Sequence, residues 1–494
     1  MREFSPQSLA SWTGGRWTTM PVSSLSGFNQ DTRALSAGQV FVALKTDKRD
    51  GHDFLADAAA KGAAAALVAR EVAGAPLPQL VVADPLRAFQ AIAAAYRRTF
   101  PGRVIGITGS AGKTSTKDLV ALLLDVAPVS DRRRTGSETS GPSAAPAALR
   151  RSETGATDAS RTSSRVLATS GNLNNFIGVP LTLTQLDPAA HDAAVIEAGI
   201  NMPGEMRDLV GMAQPDHAIV TFVGPAHLEK LGSLDGVAAE KVQMLTGVRG
   251  GGLQVFPVSC WQFEPFRALA NPLVLVPANE AMVRVEGQTI IFTVLHRPDR
   301  TEVTLGAKRT FVLRRVSSGM AQNAALALAL ASELGVDDAT LQQRLATWQP
   351  SKWRGEMQRV GDAEVYCDFY NANPASMADA IAAFASLARP ELPRLYVLGG
   401  MEELGAQAAD FHQQLGRTIL LRPGDFLFTI GTHAGALREG LLENGNDPAQ
   451  VAVVTDPAPV RERLATFKGA AFLKGSRRYR LETVLDPHAA AHAH

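Results

Sequence analysis

Cysteine is scarce in this chain: Cys260 and Cys367 are the only two in 494 residues. That is too few for a disulfide framework or a thiolate zinc site, and a reducing compartment suits the composition. Net charge is equally scarce, with 49 Lys and Arg against 48 Asp and Glu for a formal +1. So even a balance excludes a broad electrostatic grip on nucleic acid or anionic lipid and favours small-molecule chemistry. Long apolar runs are missing as well. No stretch approaches the ~20 apolar residues of a membrane span. The opening "MREFSPQSLASW" lacks a basic segment followed by an apolar run, so neither export nor membrane insertion is expected and the chain reads as cytoplasmic.

What is present is an ordinary globular composition, 46% hydrophobic and 20% charged, over a length that suits two to four domains. The first hundred residues alternate strand-like and helix-like runs ("GQVFVAL", "HDFLADAAAKGAAAALVA", "LPQLVVAD"), and a Pro-Gly break before "RVIGITG" marks a fresh start. Apolar strand-like runs recur at "DAAVIEAG", "HAIVTFVG" and "GGLQVFPV", as in a doubly wound parallel sheet. After "TWQPSKWRGE" the pattern restarts with "AEVYCDFY", "RLYVLGG", "DFLFTIG" and "AAFLKG". Three α/β domains are expected, over residues 1–101, 102–350 and 351–494. Residues 129–165 are rich in Ser, Thr, Gly, Ala and Arg with almost no large apolar side chains, so they read as a disordered surface insertion. A basic docking segment is the alternative.

The chemistry begins at "VIGITGSAGKTSTKDLV", Val104 to Val120. A strand that enters a glycine turn and then a helix converges backbone N–H groups on phosphate oxygens. Lys113 is placed to reach the terminal phosphates, and the Thr114 hydroxyl to meet a magnesium ion bridging them. Gly109, Ser110, Ala111, Gly112 and Ser115 complete the candidate ATP-phosphate cradle. The ordinary spacing would put a glycine at Ile107; here the early glycines are Gly106 and Gly109, so the loop is a shorter variant.

Other polar residues sit where a doubly wound sheet concentrates ligands, at the carboxyl ends of strands. Glu197 ends an apolar strand and is either a cation ligand or an exposed or salt-bridged carboxylate. His227 follows another strand; core, surface and ligand roles are all open. Lys241 reads by itself as an exposed helix lysine. Asn172, Asn174 and Asn175 form a polar turn. Asp368, Tyr370, Asn371 and Asn373 end a strand and precede a helix, so capping and ligand binding compete there. Arg354 lies in the joint between domains, and Asn323 interrupts an apolar helix, as a packing residue or a ligand contact.

The T-G-x-x-G-K-T variant is followed in order by "TSGNLNNFIGVPLTL", "AVIEAGINMPGEM", "TFVGPAHLEKLGSLDGVAAEK", "DFYNANPASMADAI", "LGGMEELG" and "LKGSRRYRLE". This series resembles the Mur ligase family, the ATP-dependent amide-bond-forming enzymes of peptidoglycan assembly. "YNANP" and "VGPAHLE" resemble the branch that joins D-Ala-D-Ala to UDP-N-acetylmuramoyl-tripeptide. The resemblance implies a three-domain α/β architecture with a central P-loop-type parallel-sheet ATPase domain and a Rossmann-like C-terminal domain. It implies ATP and Mg2+ as cofactors and a monomer that needs no nucleic acid. It makes Lys113, Glu197, His227 and Lys241 catalytic, and Thr114, Glu197, His227 and a carbamylated Lys241 metal ligands. Asn323, Arg354, Asp368, Asn371 and Asn373 would border ATP. Asp31, Thr32 and Arg33 of "DTRALSAGQVFVAL" would meet the uridine nucleotide, and "DGHDF" belongs to the same domain. Asn172, Asn174, Asn175, Lys474, Ser476 and Arg477 would border the peptide substrates. Three positions depart from the family pattern: Gly319 replaces a histidine, Gly400 the aspartate of "LGDM", and Phe176 a polar residue. A sister ligase adding one amino acid, a folylpolyglutamate-synthase-like enzyme, and a nucleotide-binding relative without turnover are the rival readings.

Overall fold

The computed structural model describes residues 3–125 and 165–486, which fold around three sheets. The first has the strand order Arg16–Trp17, Gln79–Val81, Ala65–Val68, Val40–Val42, Phe28–Asn29 and is parallel except for its first strand. The helix Pro85–Thr99 packs on it. Asp84 caps that helix by accepting from the Leu86 and Arg87 N–H groups, Pro85 opens it, and Arg97 and Arg98 occupy the last turn.

The central sheet has nine strands. Its parallel part runs Val166–Ala168, Ala193–Glu197, Arg103–Thr108, His217–Val220, Gln254–Pro257, Leu273–Pro277, Gln288–His296. The runs read as buried strands are buried along most of their length, as a sheet covered on both faces requires. Sequence reasoning missed the edge, where Gln288–His296, Arg300–Leu305 and Arg309–Arg314 form an antiparallel meander. The turn signal was present in "HRPDR" between the first two of those strands. Behind the sheet, the apolar helix Ser318–Glu333 buries Ala and Leu on nearly every side against the helix Lys113–Leu124.

The third sheet runs Glu356–Val360, Ala363–Cys367, Ala470–Lys474, Arg394–Gly399, Phe426–Ile430, Val451–Val454, parallel except for the first strand. Its helices lie on both faces, over two separate cores, which is the Rossmann-like arrangement. The proposed insertion falls on residues outside the described set, except for Arg165. That residue belongs to the fold: its N–H donates to Asp125 Oδ1 at 2.7 Å and its guanidinium pairs with Asp192. Among the described residues no helix is long and apolar enough to cross a membrane.

Candidate active site

A cavity of about 470 Å³ opens between the central and third sheets, at the carboxyl ends of their strands. Ser110 to Ser115 form one wall. The loop needs its glycines for space as well as for φ. A Cβ on Gly109 (φ +154°) would lie 1.9 Å from Thr221 Oγ1, and one on Gly112 (φ +78°) 2.4 Å from Asn323 Nδ2. Thr221 Oγ1 also donates to the Ala111 carbonyl, and Ser110 Oγ donates to Gly224 O at 2.9 Å. The loop is therefore fixed from beneath by the neighbouring strand end. Lys113 Nζ donates to Gly109 O at 3.0 Å. Burial holds its ammonium below the ordinary lysine range, opposed by the Glu197 charge.

Glu197 is 2% exposed at the end of its strand. Its Oε1 accepts from Asn174 Nδ2 at 2.8 Å, while Oε2 is buried with no partner. An ionised oxygen left in that state is costly, and a cation is what satisfies it. Among the described residues no cluster of three or more His, Cys, Asp or Glu could hold a metal. A single buried carboxylate with one free oxygen beside the phosphate loop is a donor of the kind that a hard cation takes when most of its shell is water and phosphate oxygen.

Lys241 ends the helix Leu234–Lys241 and is 1% exposed, so the surface-lysine reading is wrong. Burial pushes its amine well below the ordinary range, and the neighbouring Lys113 charge pushes the same way. His227 stands in the left-handed region (φ +56°), and its Nδ1 contacts the Glu403 carboxylate from the third sheet's unit. Neither His227 nor Lys241 lines the cavity itself.

The facing wall comes from the third sheet. The Lys474 ammonium, 2% exposed, donates to Asp368 Oδ2 at 2.7 Å and to the carbonyls of Asp368 and Asn371 at 3.3 Å. Its donors thus hold the strand end in shape. Arg354 lies over the Tyr370 ring, 4.0 Å from its centroid. Asn373 caps: its Oδ1 holds the helix Pro374–Leu387 in a capping box, while Nδ2 donates to Ser110 O at 3.1 Å across the cavity's edge. Asn323 lines the cavity and abuts Gly112.

The cavity also brings in residues that the motifs did not reveal: Arg314, Arg315, Trp348 and Asp379. Asp379 explains Gly319, since Oδ1 accepts from the Gly319 N–H at 3.0 Å and a Cβ there would lie 2.6 Å from Oδ2. Gly400 has a similar cause: a Cβ would lie 2.9 Å from the Tyr479 hydroxyl, which bonds Glu402. Several expected substrate residues stand elsewhere. Asn172 is exposed, Asn175 Oδ1 accepts from the Ile177 and Gly178 N–H groups, and Ser476 and Arg477 do not line the cavity. Arg477 pairs with Glu482 and stacks on Trp353. Asp31 and Arg33 pair with each other at 2.8 Å, and Thr32 lies between them. None of the three lines the second cavity, about 420 Å³, whose walls come from Phe28 to Gln30 and Ala34 in the first sheet's unit and from Leu173, Leu181, Thr184 and Gln185 in the central one.

Three family profiles match the chain: the Mur ligase family catalytic domain over residues 25–134, the Mur ligase middle domain over 107–273, and the Mur ligase glutamate ligase domain over 353–473. The UDP-N-acetylmuramoyl-tripeptide–D-alanyl-D-alanine ligase of Escherichia coli (strain K12) is 30% identical over 482 residues, covering 94% of this chain and 93% of that one. The protein of the same name from Bacillus subtilis (strain 168) is 29% identical over 429 residues, covering 85% and 83%. The crystal structure of MurF from Acinetobacter baumannii superposes with a TM-score of 0.79 at 26% identity over 98% of both chains. Similarity sustained through all three sheets, with the shortened phosphate loop at their junction, identifies the chain as a member of the Mur ligase family.

Proposed function

We propose that this chain joins D-Ala-D-Ala to UDP-N-acetylmuramoyl-tripeptide, driven by ATP, with release of ADP and phosphate. The observation that carries this reading is the cavity in which the phosphate loop and the unpaired Glu197 oxygen face Arg354 and the Asp368–Lys474 pair. Near full-length similarity to proteins bearing that name supports the substrate assignment. On this reading residues 1–101, 102–350 and 351–494 are three working units: the first takes the uridine nucleotide, the second ATP, and the third the incoming dipeptide. The second cavity, between the first sheet's unit and the central one, gives that substrate a place to enter, although Asp31 to Arg33 do not line it.

The tripeptide's terminal carboxylate oxygen attacks the γ-phosphorus, the bond to ADP breaks, and an acyl phosphate forms. The dipeptide nitrogen then attacks the acyl carbon, phosphate leaves, and the amine's proton is lost. Carboxylate and triphosphate repel each other, so Lys113 serves by cancelling charge along the line of transfer. Thr114, Glu197 and His227 would hold magnesium, which when bound adds charge neutralisation beside the phosphates. Asn323, Arg354, Asn371 and Asn373 border the nucleotide. Lys241 is read as a carbamate: the neutral amine adds carbon dioxide and loses a proton, which sets an anion beside the Lys113 cation. If so, Lys241→Ala is nearly inactive and regains turnover with formate or acetate, whereas full activity without additive removes the carbamate.

The deciding experiment is ADP release with purified UDP-N-acetylmuramoyl-tripeptide, with D-Ala-D-Ala or single amino acids as acceptor. Steady ADP release only with the dipeptide is expected. Equal turnover with one amino acid would make the chain a sister ligase, and ATP binding without ADP under any acceptor would make it a non-catalytic relative.

A further inference from the structure

The active-site cavity has a charged end and an apolar one. The phosphate loop and Glu197 mark the first. The helix Pro374–Leu387 runs from it to the second, because Asn373 at its start bonds Ser110 O and Leu387, its last residue, lines the cavity ~21 Å further along the axis. Other apolar walls gather there. Arg315 donates to Val316 O and to Ser386 Oγ, each at 2.8 Å, which sets Val316 beside Leu387, and Arg314 bonds Gln349, which brings in Trp348 and Pro350. A slot with such walls suits a flat heterocycle. Two polar groups that line it are left without partners. Asp379 stands ~9 Å from Asn373 along the same helix; Oδ1 accepts from the Gly319 N–H at 3.0 Å, while Oδ2 has neither hydrogen bond nor ion pair among the described residues. Tyr366 is 4% exposed, and its hydroxyl has no hydrogen bond among them either. Burial holds the phenol well above its ordinary range, and the Asp368 and Asp379 charges push the same way, so it remains a donor. Gly319 is what admits the carboxylate, since the 2.6 Å between Oδ2 and a Cβ there leaves no room for the histidine of the family pattern.

We propose that Asp379 is the base-specificity residue of this site, its Oδ2 accepting from the exocyclic amine of a 6-aminopurine while the Tyr366 hydroxyl donates to the adjacent ring nitrogen. The proposal rests on the reading of the cavity as the ATP site. A 6-oxopurine offers an oxygen and a ring N–H at the same two positions, so it would set its oxygen against the carboxylate. The test is calorimetry on the full-length chain with ADP, inosine diphosphate and 2′-deoxy-ADP, for wild type, Asp379→Asn and Asp379→Ala. Wild type should prefer ADP to inosine diphosphate by at least ~100-fold. In Asp379→Asn the amide oxygen still accepts from the Gly319 N–H and the amide nitrogen turns a donor to the slot, so that preference should shrink at least ~10-fold or invert, with the ratio of ADP to 2′-deoxy-ADP affinity unchanged. Asp379→Ala should also lose most of the base preference. Ratios measured within one variant do not depend on how much of it folds. A base preference kept in both variants, with every nucleotide weakened alike, would make Asp379 a docking contact for Gly319 and overturn the proposal. A change confined to the 2′-deoxy ratio would place the ribose at Asp379 and overturn it too. Equal affinity of wild type for ADP and inosine diphosphate would overturn it while the ATP reading stands, and a wild type that binds neither would bring down both.

Discussion

The seam between the first and central sheets is apolar and continuous, whereas the seam between the central and third sheets is polar and encloses the cavity. One core runs from Phe4 and Trp17 through Phe89 and Ile92 to Ile196, Val220 and Phe256. Within it Arg97, fully buried, donates to the Ala213 and Gln214 carbonyls at 2.9 and 3.0 Å and to Asp216 Oδ2 at 2.7 Å. The third sheet's cores do not cross to the central one. Its seam is made by single polar contacts: Asn373 to Ser110, Gly319 to Asp379, Arg315 to Ser386, Ser351 to Asp118, and Glu403 to His227. Apolar seams resist relative motion, and polar ones permit it. The first two sheets are therefore expected to behave as one body, with ligand-driven closure left to the third.

The heaviest blow to the apolar seam is Arg97→Ala, which strands buried carbonyls and opens space. It should lower unfolding free energy by about 3–5 kcal/mol in urea titrations, while the protein that remains folded keeps its turnover. A loss below about 1 kcal/mol would mean that the seam is less continuous than its packing implies. The polar seam should respond in the opposite way. Lys113→Ala should cut turnover at least ~100-fold, about 2.7 kcal/mol of transition-state stabilisation, with an unchanged urea midpoint. Near-normal turnover would detach the loop from phosphate chemistry.

Asn373 allows the polar seam to be dissected. Asn373→Ala removes a helix cap, worth about 1 kcal/mol of stability, together with the bond to Ser110 O. Asn373→Asp keeps the capping oxygen, removes the donor and sets a carboxylate oxygen against the Ser110 carbonyl. Calorimetry should then find ADP binding weakened in both variants by roughly fivefold, the scale of one hydrogen bond, with stability lowered in the alanine variant alone. Equal stability losses would show that the seam bond, not the cap, holds this region.

The two walls of the cavity also differ in how far they can be read from sequence. The phosphate loop was legible because its strand, glycines, lysine and threonine are consecutive and their geometry is local. Asp368, Asn371 and Asn373 were legible as a strand end, since the apolar run "AEVYCDFY" stops there. Lys241 was not, because "GVAAEKVQM" carries no sign that its helix is covered on several sides; Val237, Ala238, Glu240 and Lys241 are all buried. The unpaired Glu197 oxygen follows from Asn174 satisfying only the other one. Glu403 follows from a contact between segments far apart in the chain. Asn175 stands in a polar turn in sequence, and in the fold its Oδ1 accepts from the Ile177 and Gly178 N–H groups where the next helix begins. Motifs name the residue types; partner geometry decides which atoms remain free.

The smallest effect should come from residues 126–164, which lie outside the described residues but between flanks that touch. Asp125 Oδ1 accepts from the Arg165 N–H at 2.7 Å, and the Arg165 guanidinium is anchored on Asp192. The ends are thus joined by the fold itself, after the helix Lys113–Leu124 and before the edge strand Val166–Ala168. A short link is enough to close that gap, and shortening a loop whose ends are fixed changes the closure entropy by only ~0.6 kcal/mol per halving. Replacing Ser130 to Ser164 with a short Gly/Ser linker should therefore shift the melting temperature by no more than a few degrees, the scale of that entropy term. Turnover should stay within about twofold. Measured beside Arg97→Ala and Asn373→Ala, this variant also sharpens the contrast between seams. A loss of turnover with an unchanged melting temperature would mean that the stretch serves the polar seam, and a loss of stability would mean that it serves the apolar one.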